Sequence, residues 1–242
     1  MLAAEEEQLG WKHIANGQLE HAESHFRRAL ELDPLRVDAL NGLGTVYLEW
    51  GELEQAQELF QMAIGQAEGQ LPRNKRHTGW DDEVVRPYLR ALSQLGVTFG
   101  KMGYWEGVQT TLEELLAWDS GGMEGRIFFL LGEAYLRNGQ ITEALHSYQE
   151  APNTPERDYT LGLILFISGQ KKMAYEAWKK AYQALPEALP LLRHYPTVRP
   201  IGGASDTNFG RAARYAFQSF DLWTVDSRAA LGDCADHIAA SS

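Results

Sequence analysis

The chain has 242 residues, 44% of them hydrophobic, and 22 Lys and Arg stand against 33 Asp and Glu for a formal net charge of -11. That is enough apolar chain for a sizeable core, while the negative balance argues against nucleic acid, whose phosphates need clustered Lys and Arg. A single cysteine, Cys234, rules out an intrachain disulfide and any multi-thiolate zinc or iron–sulfur site.

The charge is unevenly spread. Residues 1–70 carry a net −9, residues 71–88 a net +1 and residues 89–242 a net −3. Such an acidic stretch keeps a helical surface soluble. Near the start, Glu5, Glu6 and Glu7 stand where a signal peptide would be positive. The longest greasy stretch, residues 161–167, is far short of the roughly 20 residues of a membrane span. No membrane span and a cytoplasmic location are the expectations.

The organising signal is a repeat. Leu-Gly recurs at Leu9-Gly10, Leu43-Gly44, Leu95-Gly96, Leu131-Gly132 and Leu161-Gly162. Three residues after each Gly stands His13, Tyr47, Phe99, Tyr135 or Leu165, and seven after it Gly17, Gly51, Gly103, Gly139 or Gly169. Twelve after it comes Ala22, Ala56, Val108, Ala144 or Ala174. Sixteen after it comes Phe26, Phe60, Leu112, Tyr148 or Trp178, and nineteen after it Ala29, Ala63, Leu115, Ala151 or Ala181. The small columns let two antiparallel helices approach, the large ones fill the space between units, and the second Gly suits a left-handed helix end. Pro34 and Pro186 close two units. One such helix pair cannot bury its apolar stripe alone, so the pairs must stack.

These columns resemble the tetratricopeptide repeat, whose period is 34 residues, over roughly residues 3–188. The resemblance implies an all-α, right-handed superhelical solenoid of about five helix pairs, of a bacterial type. Units are expected at about 3–36, 37–70, 89–122, 125–154 and 155–188. Their spacings are 34, 52, 36 and 30 residues. The long step holds an insertion at 71–88, read as a loop over 68–79 and a lead-in over 80–88 that lengthens the next helix. The short step falls at Ala151-Pro-Asn-Thr-Pro155, where two prolines cut a helix early. Residues 189–205 read as an irregular connector and 206–239 as a helical cap over the array's apolar end. Asp206 is expected to cap a helix with Phe209, Ala213, Ala216, Phe217 and Phe220 on one face, and a second helix follows near Ser227–Ile238. The layout, with Arg86-Pro-Tyr-Leu-Arg-Ala-Leu92 and then Tyr215-Ala-Phe217 and Trp223, also resembles the suppressor-of-tumorigenicity-7 family; it carries no catalytic residue over.

The resemblance places a concave groove along the first helix of each unit, at its second, fifth, sixth, ninth, twelfth and thirteenth residues. It nominates Glu7, Trp11, Asn41, Thr45 and Glu49, then Arg90, Ser93, Gln94, Val97 and Lys101, then Arg126, Phe129, Glu133, Arg137, Tyr159, Leu163 and Phe166. The groove would run from acidic through basic to aromatic and suit an extended peptide that is positive, then negative, then apolar. Arg90, Arg126 and Arg137 would bind acidic groups, and Phe129, Tyr159 and Phe166 would anchor apolar ones. The chaperone carboxylate clamp does not fit, because Glu7 and Trp11 occupy its first-unit positions and Glu7 repels a carboxylate.

Other chemistry is sparse. His21 and His25 share a helix face without an evident third ligand, and Cys234 with His237 makes only half of a zinc-like pair. Asp81, Asp82 and Glu83 fit helix capping better than acid–base work. Gly202-Gly203 lacks phosphate-loop spacing. No metal, no cofactor and no enzyme activity are expected. The reading is a non-catalytic adaptor for a protein or peptide partner. The alternatives are a structural assembly subunit acting through self-association or the 68–83 insertion and, remotely, an enzyme near His194–His237.

Overall fold

The structure is a computed structural model that describes residues 2–71, 79–119, 125–193 and 207–240. Among these residues the chain is all-α. The first helices of each pair (A helices) are α1 (Ala3–Ala15), α3 (Val37–Trp50), α5 (Arg86–Met102), α7 (Ile127–Arg137) and α9 (Pro155–Ile167). The second (B helices) are α2 (Leu19–Leu32), α4 (Leu53–Glu68), α6 (Trp105–Trp118), α8 (Ile141–Glu150) and α10 (Lys171–Ala184). Then come α11 (Ala188–Arg193), α12 (Asn208–Ser219), a 3-10 turn (Phe220–Leu222) and α13 (Val225–Ala240). They form two compact units, Met1–Ala134 and Tyr135–Ser242, the division falling inside α7.

Each repeat column has a structural job. Gly17, Gly51, Gly103, Gly139 and Gly169 all have φ between 71° and 82°. An L side chain is strained there, and each glycine ends an A helix. The amide of the residue after each glycine then donates back five residues, as from Glu52 to Tyr47 O at 2.9 Å and from Gln170 to Leu165 O at 2.8 Å. The acceptors are the residues of the column three after each Leu-Gly.

The Leu-Gly glycines admit the large residue sixteen positions on. A Cβ on Gly10 would lie 2.6 Å from the Phe26 ring, on Gly44 2.7 Å from Phe60, on Gly96 2.6 Å from Leu112 and on Gly162 2.2 Å from Trp178. Phe26 also presses on Gly42 of the next A helix, at 2.2 Å, and so ties one pair to the following one. The four knobs and Ala22, Ala56, Ala144 and Ala174 are fully buried. Full burial of one such large side chain contributes about 1.5–3 kcal/mol. In the first unit Phe26 centres a cluster with Ala22, Ala29, Ala39, Leu43 and Val46, joined by Trp11. In the second, Trp178 packs with Tyr159, Leu163, Leu185, Leu192 and Trp223.

The register breaks have local causes. α8 stops at Glu150, and α9 starts at Pro155, where the Thr154 hydroxyl accepts from Arg157 N at 3.2 Å. Asp82 Oδ1 accepts from Val84 N and Val85 N at 2.9 and 3.3 Å, fixing the turn before α5. α5 itself begins only at Arg86, later than the 80–88 lead-in. Residues 72–78 of the insertion lie outside the described residues, as do 194–206, including His194, Gly202-Gly203 and Asp206.

Two features of the C-terminal segment differ from the sequence reading. The start of the expected irregular connector is helical, as the end of α11. α12 is capped by Thr207, whose hydroxyl accepts from Gly210 N at 3.1 Å. Its buried face is Gly210, Ala212, Tyr215, Ala216 and Ser219, whereas Phe209 and Phe217 are exposed. Tyr215 of that face meets Thr160 and Tyr159 of α9. No helix among the described residues is long and apolar enough to cross a membrane.

The glycine contacts make a sign prediction. A helix-interior Gly to Ala change ordinarily stabilises by up to about 1 kcal/mol. That is expected of Gly65→Ala on α4, where a Cβ meets nothing within 4 Å. Gly42→Ala should instead destabilise by about 1–3 kcal/mol, because the Phe26 ring must move. Urea denaturation of the two variants should show opposite shifts in midpoint.

Candidate partner-binding face

In the first unit the A helices α1, α3 and α5 bring several nominated residues together, mostly to bind one another. The Arg90 guanidinium pairs with Asp38 and lies 4.8 Å above the Trp11 ring, which itself meets Phe26 edge-on at 5.3 Å. Arg36 Nε approaches Glu7 Oε2 to 2.6 Å, too poorly aligned for a hydrogen bond. Burial pushes the Glu7 carboxyl above its ordinary range, against the pull of Arg36. Asn41 is fully buried and donates from Nδ2 to Pro87 O at 2.8 Å, joining α3 to α5. Thr45 is buried too, its hydroxyl turned back to Asn41 O at 2.8 Å. Asn41 and Thr45 therefore hold the face together and present nothing to a ligand.

Beside this network the α2–α3 turn, the end of α4 and the start of α5 enclose a cavity of about 330 Å³. Among the described residues, Glu7, Asp33, Asp38 and Glu83 line it together with Arg36. Leu35 and Val84 also line it, and 59% and 50% of their surfaces are exposed. The basic middle expected from the sequence is not free at Arg90, which Asp38 engages. Asp38 is the second residue of its unit, a position that could have revealed this partner. Glu49, Lys101 and Arg126 are exposed, and Ser93, Gln94, Val97, Phe129 and Glu133 are half-buried.

In the second unit the expected aromatic end is not an open surface. Tyr159 and Leu163 are fully buried, and the Tyr159 hydroxyl donates to Leu185 O at 2.9 Å. Burial raises its phenol far above the usual value. Phe166 packs on Trp178 with ring centres 5.6 Å apart. Arg137 donates to both Asp221 oxygens at 2.6 and 3.1 Å and holds that carboxyl below its ordinary range. Charge reversal at Arg137 would therefore break an intramolecular pair. Sequence gave no sign of it, because the two residues stand 84 positions apart.

The histidines form a stack. The His13 ring lies 5.3 Å from His21 and 5.0 Å from His25, and His25 Nδ1 is 2.7 Å from Glu6 Oε2. Stacked rings do not aim their nitrogens at one point. Cys234 is buried, burial pushes its thiol up, and with His237 it lines an open cleft of about 810 Å³ beside α10 and α13. Among the described residues no group of three or more His, Cys, Asp or Glu is arranged to hold a metal.

Two tetratricopeptide-repeat family models match the chain, over residues 13–73 and 125–151. Among solved structures, YrrB, described as a TPR protein with an unusual peptide-binding site, is 19% identical, with 73% of this chain and 83% of that one covered and a TM-score of 0.57. A MamA crystal structure is 18% identical, with 82% and 98% covered and a TM-score of 0.59. MamA from Desulfovibrio magneticus RS-1 is 17% identical, with 75% and 94% covered and a TM-score of 0.59. At these identities the likeness is one of fold. No curated protein sequence matches the chain.

Two consequences can be measured. Asn41→Ala removes the hydrogen bond that joins α3 to the Pro87 carbonyl of α5 and should lower stability by roughly 0.5–1.5 kcal/mol in thermal denaturation. Glu7, with its carboxyl raised in the folded state, keeps its proton where the unfolded chain has lost it. Its contribution is therefore present at low pH and is lost as pH rises from the ordinary 4.5 through the raised value. Relative to Glu7→Gln, the wild type should lose stability as pH rises above the ordinary carboxylate range. A difference that does not change with pH above 4.5 would contradict the assignment.

Proposed function

We propose that this tetratricopeptide-repeat protein is a non-catalytic interaction adaptor that takes an extended partner segment at the A-helix face of its first unit. The observation that carries the reading is the cavity where, among the described residues, Asp33 and Glu83 lie beneath the exposed aliphatic rim of Leu35 and Val84. A lysine or arginine of the partner would reach Asp33 and Glu83, while aliphatic neighbours rest on the rim. Exposed apolar surface beside acidic groups is in keeping with a contact surface for a cationic, aliphatic segment. Trp11 under Arg90 offers an adjoining flat, half-buried pad.

The partner expected from sequence alone had three parts. The cationic part is retained here, because the basic middle at Arg90 and the apolar end at Tyr159 are engaged within the chain. A peptide ligand is in keeping with the fold shared with YrrB, whose own binding site is a property of that protein. We read the compartment as the cytoplasm on the single, unpaired cysteine.

The test is fluorescence anisotropy on the full chain with a short peptide alternating lysine and leucine, and with its glutamate counterpart. The lysine peptide should bind, more weakly as salt rises, and Glu83→Lys should weaken it by about tenfold. Equal affinity for both peptides, or no response to Glu83→Lys, overturns the reading. A mass that grows with concentration in light scattering would favour an assembly subunit instead.

A further inference from the structure

Away from the A helices, the second unit holds a cleft of about 810 Å³ between the B helix α10 and the C-terminal helix α13. α10 lines it with Tyr175, Glu176 and Lys179, and α13 with Asp233, Cys234 and Ile238. The floor is closed where Cys234 Sγ donates to Tyr175 O at 3.6 Å. Behind that contact both helices are fixed in one core, α10 through Trp178 and Ala181 and α13 through Leu231 and Ala235. The two walls are therefore held in place before anything binds, which removes part of the ordering cost of binding.

Charge of both signs surrounds an apolar floor. Asp236 of α13 is engaged by Arg193, at 3.6 Å. Glu176, Lys179 and Asp233 are exposed, and their side chains make no ion pair among the described residues. Glu176 and Lys179 stand three apart, a spacing at which a helix lets such groups pair, and they do not. Burial dominates the upward push on the Cys234 thiol, and the charges of Glu176 and Lys179 both reach it as well. A purely cationic ligand would meet Lys179, and a purely anionic one Asp233 and Glu176. A ligand with one group of each sign suits all three. The α10 side runs from Tyr175 to Gln183, about 12 Å at the rise of a helix, which is short for a partner helix and ample for a small molecule. The volume, too, falls among the roughly 300–1,000 Å³ of small-molecule sites.

We infer that this cleft is a small-molecule site for a zwitterion with an apolar body, of the class of the large apolar α-amino acids. The ligand's carboxylate meets Lys179, its ammonium meets Asp233 and Glu176, and its side chain rests on Tyr175, Cys234 and Ile238. Touching α10 and α13 together, it fastens the C-terminal helix to the last repeat and stabilises the folded chain by mass action. The site is separate from the cationic-peptide cavity of the first unit and does not rest on that reading.

The test is isothermal titration calorimetry on the full chain with three compounds. They are L-phenylalanine, phenethylamine, which lacks the carboxylate, and 3-phenylpropionate, which lacks the ammonium. Phenylalanine should bind at least about tenfold more tightly than either of the others. Lys179→Met should lower phenylalanine to the level of phenethylamine and leave phenethylamine itself unweakened. Asp233→Asn should weaken phenylalanine and phenethylamine and spare 3-phenylpropionate. Both positions are exposed, so neither change empties the core. Cys234 is the single cysteine, and its reaction with a thiol reagent reads the cleft floor directly. Phenylalanine should slow that reaction in the wild type and fail to slow it at the same concentration in Lys179→Met. Glu83→Lys should change none of these results, which separates the cleft from the cavity of the first unit. Absence of binding and of thiol protection at about 10 mM phenylalanine overturns the inference. So does equal affinity for the three compounds, which would mark a plain apolar surface, or protection indifferent to Lys179→Met.

Discussion

A large side chain pressed against a bare α-carbon is the contact on which the rest of this molecule depends. Four times an A-helix glycine receives a B-helix knob sixteen residues later, at a distance no Cβ would permit. The interhelical approach is thereby set by backbone, which has no rotamers to adjust. The alanines that flank Phe26, Phe60 and Trp178 add no bulk of their own. Because Phe26 meets glycines on two successive A helices, the same contact fixes a pair and its stacking. Everything presented on the A-helix face inherits its position from that rigid backing.

Charge on this face works first within the chain. Arg90 with Asp38, Arg137 with Asp221 and Arg211 with Glu156 each join elements distant in sequence. Exposed pairs of this kind contribute only about 0–1 kcal/mol each. Their effect lies in choosing which segments lie together, and in removing cations from what a partner meets. The acidity of residues 1–70 is where an imbalance survives, and Glu7, Asp33 and Asp38 of the first cavity all come from that stretch.

The repeat was legible because each of its rules is local. A glycine and its knob are sixteen residues apart, and a helix end is decided within six, so five aligned copies suffice to read them. The face was only half legible. Spacing nominated Glu7, Trp11 and Arg90, the last of which lies over Trp11, yet it passed over Asp38, Glu156 and Thr160, which stand at the same repeat positions. α12 was beyond reach in a different sense. Arg211 finds its carboxylate 55 residues away, across a stretch where the repeat has ended, and nothing periodic marks that choice. Phe209 and Phe217 misled for a related reason: apolar spacing identifies a face without saying whether the chain itself covers it.

The glycine helix ends divide the connections into two kinds. Every A-to-B connection is two or three residues long, whereas the B-to-A connections between repeats run to four, seventeen, eight and four. The back-bonded turn after each A helix admits no extra residue without losing its own closure, and a shift there would carry the knob off its glycine. No such condition binds the B-to-A side. Length can be gained or lost there without retuning a single buried contact, as the 52- and 30-residue spacings show. The architecture thus confines its own variation to the B-to-A connections, and in the first unit the α2–α3 and α4–α5 connections supply Asp33, Leu35, Glu83 and Val84. A lineage could rewrite what this protein meets by editing those connectors alone, with its folding code left untouched.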